Sequence, residues 1–236
     1  MNLIFDVETG PNRDIMDKLF PCPVFPTWDD RMAKIPGSVK KDETKLKHVE
    51  TQREAHAAKE PTWKSDHFEA TLEKNRCLLN PALSQVCAIG TKLDDRFTAT
   101  DMADDELSLL NVLSVIVRDA TSLIGYNIKG FDLPYLAFRM RVHGIKIPDI
   151  MKPQGRYYSN NVIDLMELCG SSQYGNNWKL KHAAVAFGMS PCAEESGKNF
   201  WRLASSDPER AANYLRWDVD ACHVIAKHFP EITSIG

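Results

Sequence analysis

The chain combines two hydrophobic patterns, one typical of β-strands and one typical of α-helices. Short apolar stretches bounded by turn-forming or charged residues predict strands, over residues 3–7, 85–93, 96–102, 122–128 and 162–165. Apolar residues that recur every three or four positions predict helices, over residues 104–118, 133–143, 179–187 and from 208 to about 229. The last helix has a clear start, because Asp207 can cap it and Pro208 suits its first turn. Since strands and helices alternate, the pattern predicts an α/β fold with a mixed sheet.

Residues 11–81 depart from both patterns. Six of the chain's thirteen prolines lie in this stretch before residue 62, and the run Pro21–Pro26 cannot form a regular helix. A polar helix is predicted from about Asp42 to Lys59, where a thin apolar stripe favours a solvated surface helix. Residues 31–53 hold seven Lys and Arg against three Asp and Glu, so an arm that contacts a substrate remains an alternative.

The composition is that of an ordinary globular domain. The chain has 236 residues, of which 43% are apolar and 26% are charged, and this length can bury a core without disulfides. A net charge of −3 gives no bulk sign of a nucleic-acid partner, although local charge is what steers a strand. Residues 127–182 hold eight Lys and Arg against four Asp and Glu. We expect a single domain, residues 1–236, with an insertion at 11–81.

Several classes of protein are disfavoured by the sequence. The N-terminus reaches Asp6 after three apolar residues, which does not fit a signal peptide, and the sequence has no apolar run of the ~20 residues that a membrane helix needs. The six cysteines are scattered without a C-x-x-C pair, and the seven histidines show no metal-binding spacing. We therefore expect reduced thiols, no zinc site, no membrane partner and a cytoplasmic location.

Three separate segments offer acids beside apolar residues. Asp6 and Glu8 are two positions apart on the first strand, so their carboxylates project from one face, about 6.5 Å apart along the strand. Asp132 follows a strand and opens a helix, where a carboxylate is favourable. Tyr214 and Asp218 are four positions apart on the last helix and share one of its faces. Taken singly, these are explained as a solvated strand end, a helix cap and a surface Tyr–Asp pair.

Taken together, the three segments indicate a metal-dependent chemistry. Carboxylates from a strand, a strand–helix junction and a late helix can converge at one end of a sheet. Mg²⁺ and Mn²⁺ prefer oxygen ligands, and two such ions about 4 Å apart can hold the attacking and leaving oxygens of a phosphoryl displacement. Clustered acids would otherwise repel one another.

The same segments resemble the motifs of a known family. Residues 5–10 (Phe-Asp-Val-Glu-Thr-Gly), residues 126–136, and Tyr214-x-x-x-Asp218-Val219 resemble exonuclease motifs I, II and III of the DEDD 3′–5′ exonucleases. The tyrosine four residues before the last aspartate resembles the DEDDy subclass, and Asn213 stands where the other subclass has a histidine. The most similar branch is that of the predicted exonucleases related to the proofreading domain of family-B DNA polymerases.

Weaker likenesses support this branch. They lie at Ala88-Ile89-Gly90, at Val162-Ile163-Asp164-Leu165 and at Trp178–His182. The resemblance implies an RNase H-like mixed β-sheet flanked by helices, with a long Pro-rich and helical insertion after the first strand.

The resemblance also implies a role for each motif residue. Asp6 would bridge two metal ions, Glu8 and Asp218 would hold the first ion, and Asp132 would support the second through water. The implied cofactors are two Mg²⁺ or Mn²⁺ ions, and the implied catalytic residues are Asp6, Glu8, Asp132, Tyr214 and Asp218. Tyr214 would orient the attacking water, since its ordinary pKa of about 10 suits a base poorly. The implied substrate-binding residues are Thr9, Asn127 and Phe131.

The function implied is a metal-dependent 3′–5′ exonuclease that hydrolyses single-stranded nucleic acid, DNA being favoured, to nucleoside monophosphates. Two alternatives stay open from the sequence. The first is an exoribonuclease that trims RNA 3′ ends with the same chemistry, since 2′-hydroxyl discrimination depends on the shape of the pocket. The second is a non-catalytic module that binds a nucleic-acid end or docks a protein partner through the insertion.

Overall fold

The computed structural model describes residues 1–29, 33–39, 41–93, 96–100, 105–170, 178–192, 197–230 and 232. Its strands are β1 Asn2–Pro11, β2 Ser84–Leu93, β3 Arg96–Thr100, β4 Ser122–Gly125 and β5 Val162–Asp164. Its helices are α1 Arg13–Leu19, α2 Asp42–Ala57, α3 Trp63–Lys74, α4 Glu106–Arg118, α5 Asp132–Val142, α6 Leu165–Leu168, α7 Leu180–Ala186, α8 Phe200–Ser206 and α9 Pro208–Ala226. The predicted boundaries at Met102 and Asp104 lie outside the described residues.

The five strands form one mixed sheet in the order β3-β2-β1-β4-β5. β1 is the central strand, antiparallel to β2 on one side and parallel to β4 on the other. β2 and β3 are antiparallel, and β4 and β5 are parallel. The predicted α/β fold class, a mixed sheet flanked by helices, is confirmed.

One face of the sheet packs against α4 and α5. The alternation of β1 directs Leu3, Phe5 and Val7 to this face, where they join Leu113 of α4 and Leu136 of α5 in the largest apolar cluster. Asp105 caps α4, since its side chain accepts hydrogen bonds from the backbone amides of residues 107 and 108.

The opposite face of the sheet packs against α7 and α9. Ile4 of β1 and Ile124 of β4 join Ala184, Val219 and Ile225 of these helices in a second cluster. The even-numbered side chains of β1 therefore point toward α9, and Asp6 and Glu8 belong to this set.

The chain divides into two compact units, and each has its own packing. The first unit comprises residues 1–12 and 78–236 and contains the sheet, whereas the second comprises residues 13–77 and contains α1, α2 and α3. In the second unit Phe25 stacks near His56, with ring centroids 4.7 Å apart, and α2 buries none of its residues, as predicted for a solvated helix. That this unit is an insertion in a single domain stays a prediction.

Two strand boundaries differ from the prediction by more than two residues. β1 continues through Gly10 and Pro11, which were expected to end it, because β4 pairs only with residues 2–4 and leaves this end of β1 flanked on one side, where proline is tolerated. The strand predicted over 122–128 ends at Gly125, because Asn127 adopts a positive φ of 60° that no strand can contain.

Several helices were not predicted, namely α1, α3, α6 and α8. α6 has four residues, and α1 and α8 have seven each, which is too short for a clear hydrophobic repeat. Over the described residues, no helix combines the length and the apolar character needed to cross a membrane.

Candidate active site

The central strand β1 supplies the first two acids. Asp6 and Glu8 project from the face that α9 covers, while Phe5 and Val7 are buried on the opposite face. Glu8 is 8% exposed and Asp6 is half-buried. The pairing with β2 shifts register between Glu8 and Thr9, so a bulge follows directly after the second acid.

Helix α9 supplies the third acid. Its start is fixed by Asp207, whose side chain accepts a hydrogen bond from the amide of Arg210. Leu215 and Val219 pack against the sheet and direct Asp218 toward β1. Carboxylate oxygens of Asp6, Glu8 and Asp218 lie within 4.8 Å of one another. The structure therefore brings together acids that lie more than 200 positions apart in the chain.

A glycine on β2 allows α9 to come this close. Gly90 pairs with Asp6 across the β1–β2 ladder. A Cβ built on Gly90 would lie 2.8 Å from Leu215 Cγ and 2.8 Å from Val219 Cγ2, well inside van der Waals contact. A larger residue at this position would push the helix, and Asp218 with it, away from Asp6.

The loop between β4 and α5, residues 126–131, carries the fourth acid. Asn127 has φ 60°, and its carbonyl accepts hydrogen bonds from the amides of Gly130 and Phe131. Asp132 then begins α5 and is 5% exposed. The backbone amide of Val7 hydrogen-bonds to the carboxylates of both Asp6 and Asp132, so the fourth acid lies beside the first.

The electrostatics of the cluster favour a bound cation. Burial raises the pKa of Asp6 to about 6, partly offset by the hydrogen bond from Val7. Burial and the charges of the neighbouring acids raise the pKa values of Glu8, Asp132 and Asp218 well above the ordinary range. Four neighbouring carboxyl groups whose pKa values are all raised are expected at a site where a bound cation supplies positive charge.

Tyr214 completes the cluster from one turn before Asp218. Burial and the adjacent carboxylates raise the pKa of its phenol, which therefore stays protonated and donates a hydrogen bond to Asp218. A Cβ built on Gly197 would lie 3.4 Å from Glu8 Oε2 and 3.8 Å from the Tyr214 hydroxyl oxygen. The phenol thus faces the same space as the Glu8 carboxylate.

The donor set of Asp6, Glu8 and Asp218 fits a hard divalent cation. All the available atoms are carboxylate oxygens, which Mg²⁺ and Mn²⁺ prefer, and their spacing allows one ion to contact all three. Asp132 lies outside this group of three but interacts electrostatically with Asp6. The geometry accommodates one ion among the three acids.

The predicted substrate-binding residues lie around the acids in different environments. The Thr9 hydroxyl donates to the carbonyl oxygen of Leu78, 2.7 Å away, and the side chain is 7% exposed. Asn127 folds its side chain over Gly130, since a Cβ there would lie 2.4 Å from Asn127 Oδ1. Phe131 is half-buried and packs against Tyr135, with ring centroids 5.4 Å apart. Their predicted contacts with a nucleotide stay predictions.

Sequence reasoning missed two residues that shape the site. Gly197 faces Glu8 and Tyr214, and no local pattern marks it. Asp164 was noticed only as part of a family likeness, yet its buried carboxylate accepts hydrogen bonds from the amides of Asn127 and Lys129. An acid at the end of a short apolar strand, where a solvated residue would be expected, is the signal that could have identified it.

The fold and the acidic cluster define the class of this chain, an exonuclease-like α/β domain with a candidate site for divalent metal. A family described as predicted 3′–5′ exonucleases related to the exonuclease domain of PolB matches residues 79–226. The chain belongs to this family.

Two further likenesses are more distant. An uncharacterized protein of Methanocaldococcus jannaschii is 32% identical over 105 residues, which are 43% of this chain and 56% of that protein. The structure of the family B DNA polymerase from the hyperthermophilic archaeon Pyrobaculum calidifontis matches with a TM-score of 0.54 at 21% identity. The match covers 63% of this chain and 22% of the polymerase chain, so the likeness shows the fold alone.

Proposed function

We propose that this protein is a metal-dependent 3′–5′ exonuclease of the DEDDy type that removes nucleoside monophosphates from single-stranded nucleic acid, with DNA favoured. The observation that carries the proposal is the close approach of Asp6, Glu8 and Asp218, whose oxygens lie within 4.8 Å of one another beside Asp132. Membership of a family of predicted 3′–5′ exonucleases supports the choice of reaction.

Each residue of the cluster has a role in this proposal. Asp6, Glu8 and Asp218 would hold one divalent ion, and Asp6 with Asp132 would hold a second, the latter through water. When bound, the two ions supply the activated water and stabilise the leaving oxygen. Tyr214 keeps its proton at neutral pH and would orient the attacking water through its hydroxyl. Thr9, Asn127 and Phe131 would position the terminal nucleotide.

The surroundings of the site support an exonuclease more than a passive binding module. A site that only held a nucleic-acid end would gain nothing from buried acids, because a phosphate and a carboxylate repel each other. Acids around a cation, in contrast, provide what in-line phosphoryl transfer requires.

The test is a nuclease assay on 5′-labelled single strands of DNA and RNA of matched sequence, with Mg²⁺ or Mn²⁺. We expect a ladder of products shortened one nucleotide at a time from the 3′ end, and no shortening of a strand whose last linkages are phosphorothioates. Asp6→Ala should abolish the ladder. The matched control is Asp149→Ala, which removes an exposed acid paired with Lys152.

Three results would contradict the proposal. The first is the absence of products with either metal on both nucleic acids. The second is cleavage that persists in Asp6→Ala. The third is loss of activity in Asp149→Ala to the same extent as in Asp6→Ala, which would indicate a general effect of charge. A ladder on RNA but not on DNA would keep the reaction and change the substrate.

A further inference from the structure

Asp164 lies at the end of β5, and its charge contributes to the raised pKa of Asp132. It is not one of the four acids of the candidate metal site, and it has an unusual set of partners. Its side chain is 3% exposed. Oδ1 accepts hydrogen bonds from the amides of Asn127 at 2.9 Å and Met166 at 3.0 Å, and Oδ2 accepts one from the amide of Lys129 at 3.1 Å. The bond to Met166 caps α6, whereas the other two reach a loop more than 30 positions earlier in the chain.

The loop that Asp164 contacts is held partly by its own hydrogen bonds and partly by Asp164. Asn127 has a positive φ, which costs free energy for a residue other than glycine, although Asn tolerates it better than most. The bonds inside the loop use the amides of Gly130 and Phe131, whereas the amides of Asn127 and Lys129 bond to an acceptor outside it. The Asp164 carboxylate supplies that acceptor for both amides.

This loop leads directly into the candidate active site. The carbonyl of Asn127 accepts hydrogen bonds from Gly130 and Phe131, and the carbonyl of Ile128 accepts one from Leu133. Asp132, the first residue of α5, lies within this set of bonds. A shift of the backbone at residues 127–129 would therefore move the carboxylate of Asp132.

We propose that Asp164 is a positioning residue, which holds the backbone of residues 127–129 so that Asn127 and Asp132 face the other acids. It does not touch the reacting atoms itself. The activity readout rests on the proposed nuclease function, whereas the effect on the loop does not.

Three variants separate this role from a general effect. Asp164→Asn keeps one oxygen, which the two donors at Oδ1 should attract, and places an amide group opposite the Lys129 amide. Asp164→Ala removes both acceptor oxygens, and with them all three hydrogen bonds, and is expected to lose stability, so the Asn variant carries the test. The matched control is Glu167→Gln, which removes one negative charge near Asp164. The carboxylate of Glu167 accepts a hydrogen bond from the side chain of Lys129, not from its backbone amide.

The first measurement is amide hydrogen exchange by NMR in the metal-free protein. In Asp164→Asn the amide of Lys129 should exchange about 10- to 100-fold faster, as expected for a lost hydrogen bond to a charged group. The amide of Asn127 should change less. In Glu167→Gln both amides should exchange as in the wild type. Unchanged exchange at Lys129 in Asp164→Asn would overturn the proposal, whether or not the protein is a nuclease.

The second measurement is nuclease kinetics combined with a double-mutant cycle. Asp164→Asn should lower kcat about 10- to 100-fold, the range found when groups that orient metal ligands are changed. In the background of Asp132→Asn, the same change should lower any residual kcat less than about 2-fold. A merely structural role would lower the folded fraction equally in both backgrounds.

The outcomes distinguish this proposal from the proposed function. If the wild type is active and the kcat of Asp164→Asn equals that of Glu167→Gln, Asp164 does not position the site. If the effect of Asp164→Asn is equally large in both backgrounds, it does not act through Asp132. If the wild type has no nuclease activity, the proposed function fails, and hydrogen exchange alone decides whether Asp164 holds the loop.

Discussion

The close packing of α9 on β2 makes Gly90 the position where a small change should reach the candidate active site. In Gly90→Ala the added methyl group would lie 2.8 Å from Leu215 Cγ and Val219 Cγ2 and 3.0 Å from Leu215 Cδ1. Ordinary contact begins near 3.4 Å, so the helix must withdraw by about 0.6 Å or the side chains must leave their preferred rotamers. Neither neighbouring side chain can move aside easily, since Leu215 and Val219 are both fully buried.

The magnitude follows from two opposing effects. Overpacking a well-filled core costs about 1–3 kcal/mol. Replacing glycine by alanine within a strand returns about 0.5–1 kcal/mol, because alanine loses less backbone entropy on folding. We expect Gly90→Ala to lower the free energy of unfolding by about 0–2.5 kcal/mol. A misplacement of Asp218 approaching 1 Å could lower nuclease activity by up to about 100-fold.

Urea unfolding followed by circular dichroism measures the first effect, and the nuclease assay measures the second. Leu215→Ala in the same background should relieve the part of the clash that involves Leu215, so the two substitutions together should cost about 0.5–3 kcal/mol less than the sum of their separate effects. Gly37→Ala is the control, because a Cβ there meets no atom within 4 Å. Strict additivity of Gly90→Ala with Leu215→Ala would refute the packing argument.

Two further predictions concern charge. Burial raises the pKa of Asp6 to about 6, so the folded metal-free protein binds a proton more tightly than the unfolded chain, and this group's contribution to stability is lost as pH rises from about 4 to about 6. The Tm of Asp6→Asn minus that of wild type, measured with EDTA, should increase over this range; a flat difference contradicts it. Arg139 and Glu106 form a buried ion pair, so Arg139→Met should cost about 3–5 kcal/mol in urea unfolding, whereas Arg141→Met should change little.

The parts of the fold that were predictable are those whose cause is local. Asp6 and Glu8 share a face because strands alternate, and Tyr214 and Asp218 share a face because helices repeat every 3.6 residues. Asp207 begins α9 because it caps the helix with its own side chain. In each case the determining residues lie within four positions of one another, and the sequence displays them directly.

The parts that were not predictable depend on distant residues. The sequence 122–128 looks like one strand, yet the strand ends at Gly125, because Asn127 has a positive φ. The amide of Asn127 donates a hydrogen bond to Asp164, which lies 37 positions away. Helix α3 was missed because it buries only Thr71 and Leu72 and has no strong apolar face. For the strand end, no short window of sequence contains the distant partner, and for α3 the local pattern is too weak to predict a helix.

The position of the acids in the fold explains how the chain tolerates them. Glu8 and Asp218 are buried, and mutual repulsion and burial raise their pKa values, so without a counter-charge they oppose folding. The same two elements bury Phe5 and Val7 on one face of β1 and Val219 on α9, and each such side chain contributes about 1.5–3 kcal/mol. The burial of these apolar side chains, which are neighbours of the acids in sequence, thus keeps the acids close together. Because a divalent ion would relieve the repulsion only in the folded state, its binding and the stability of the fold are linked.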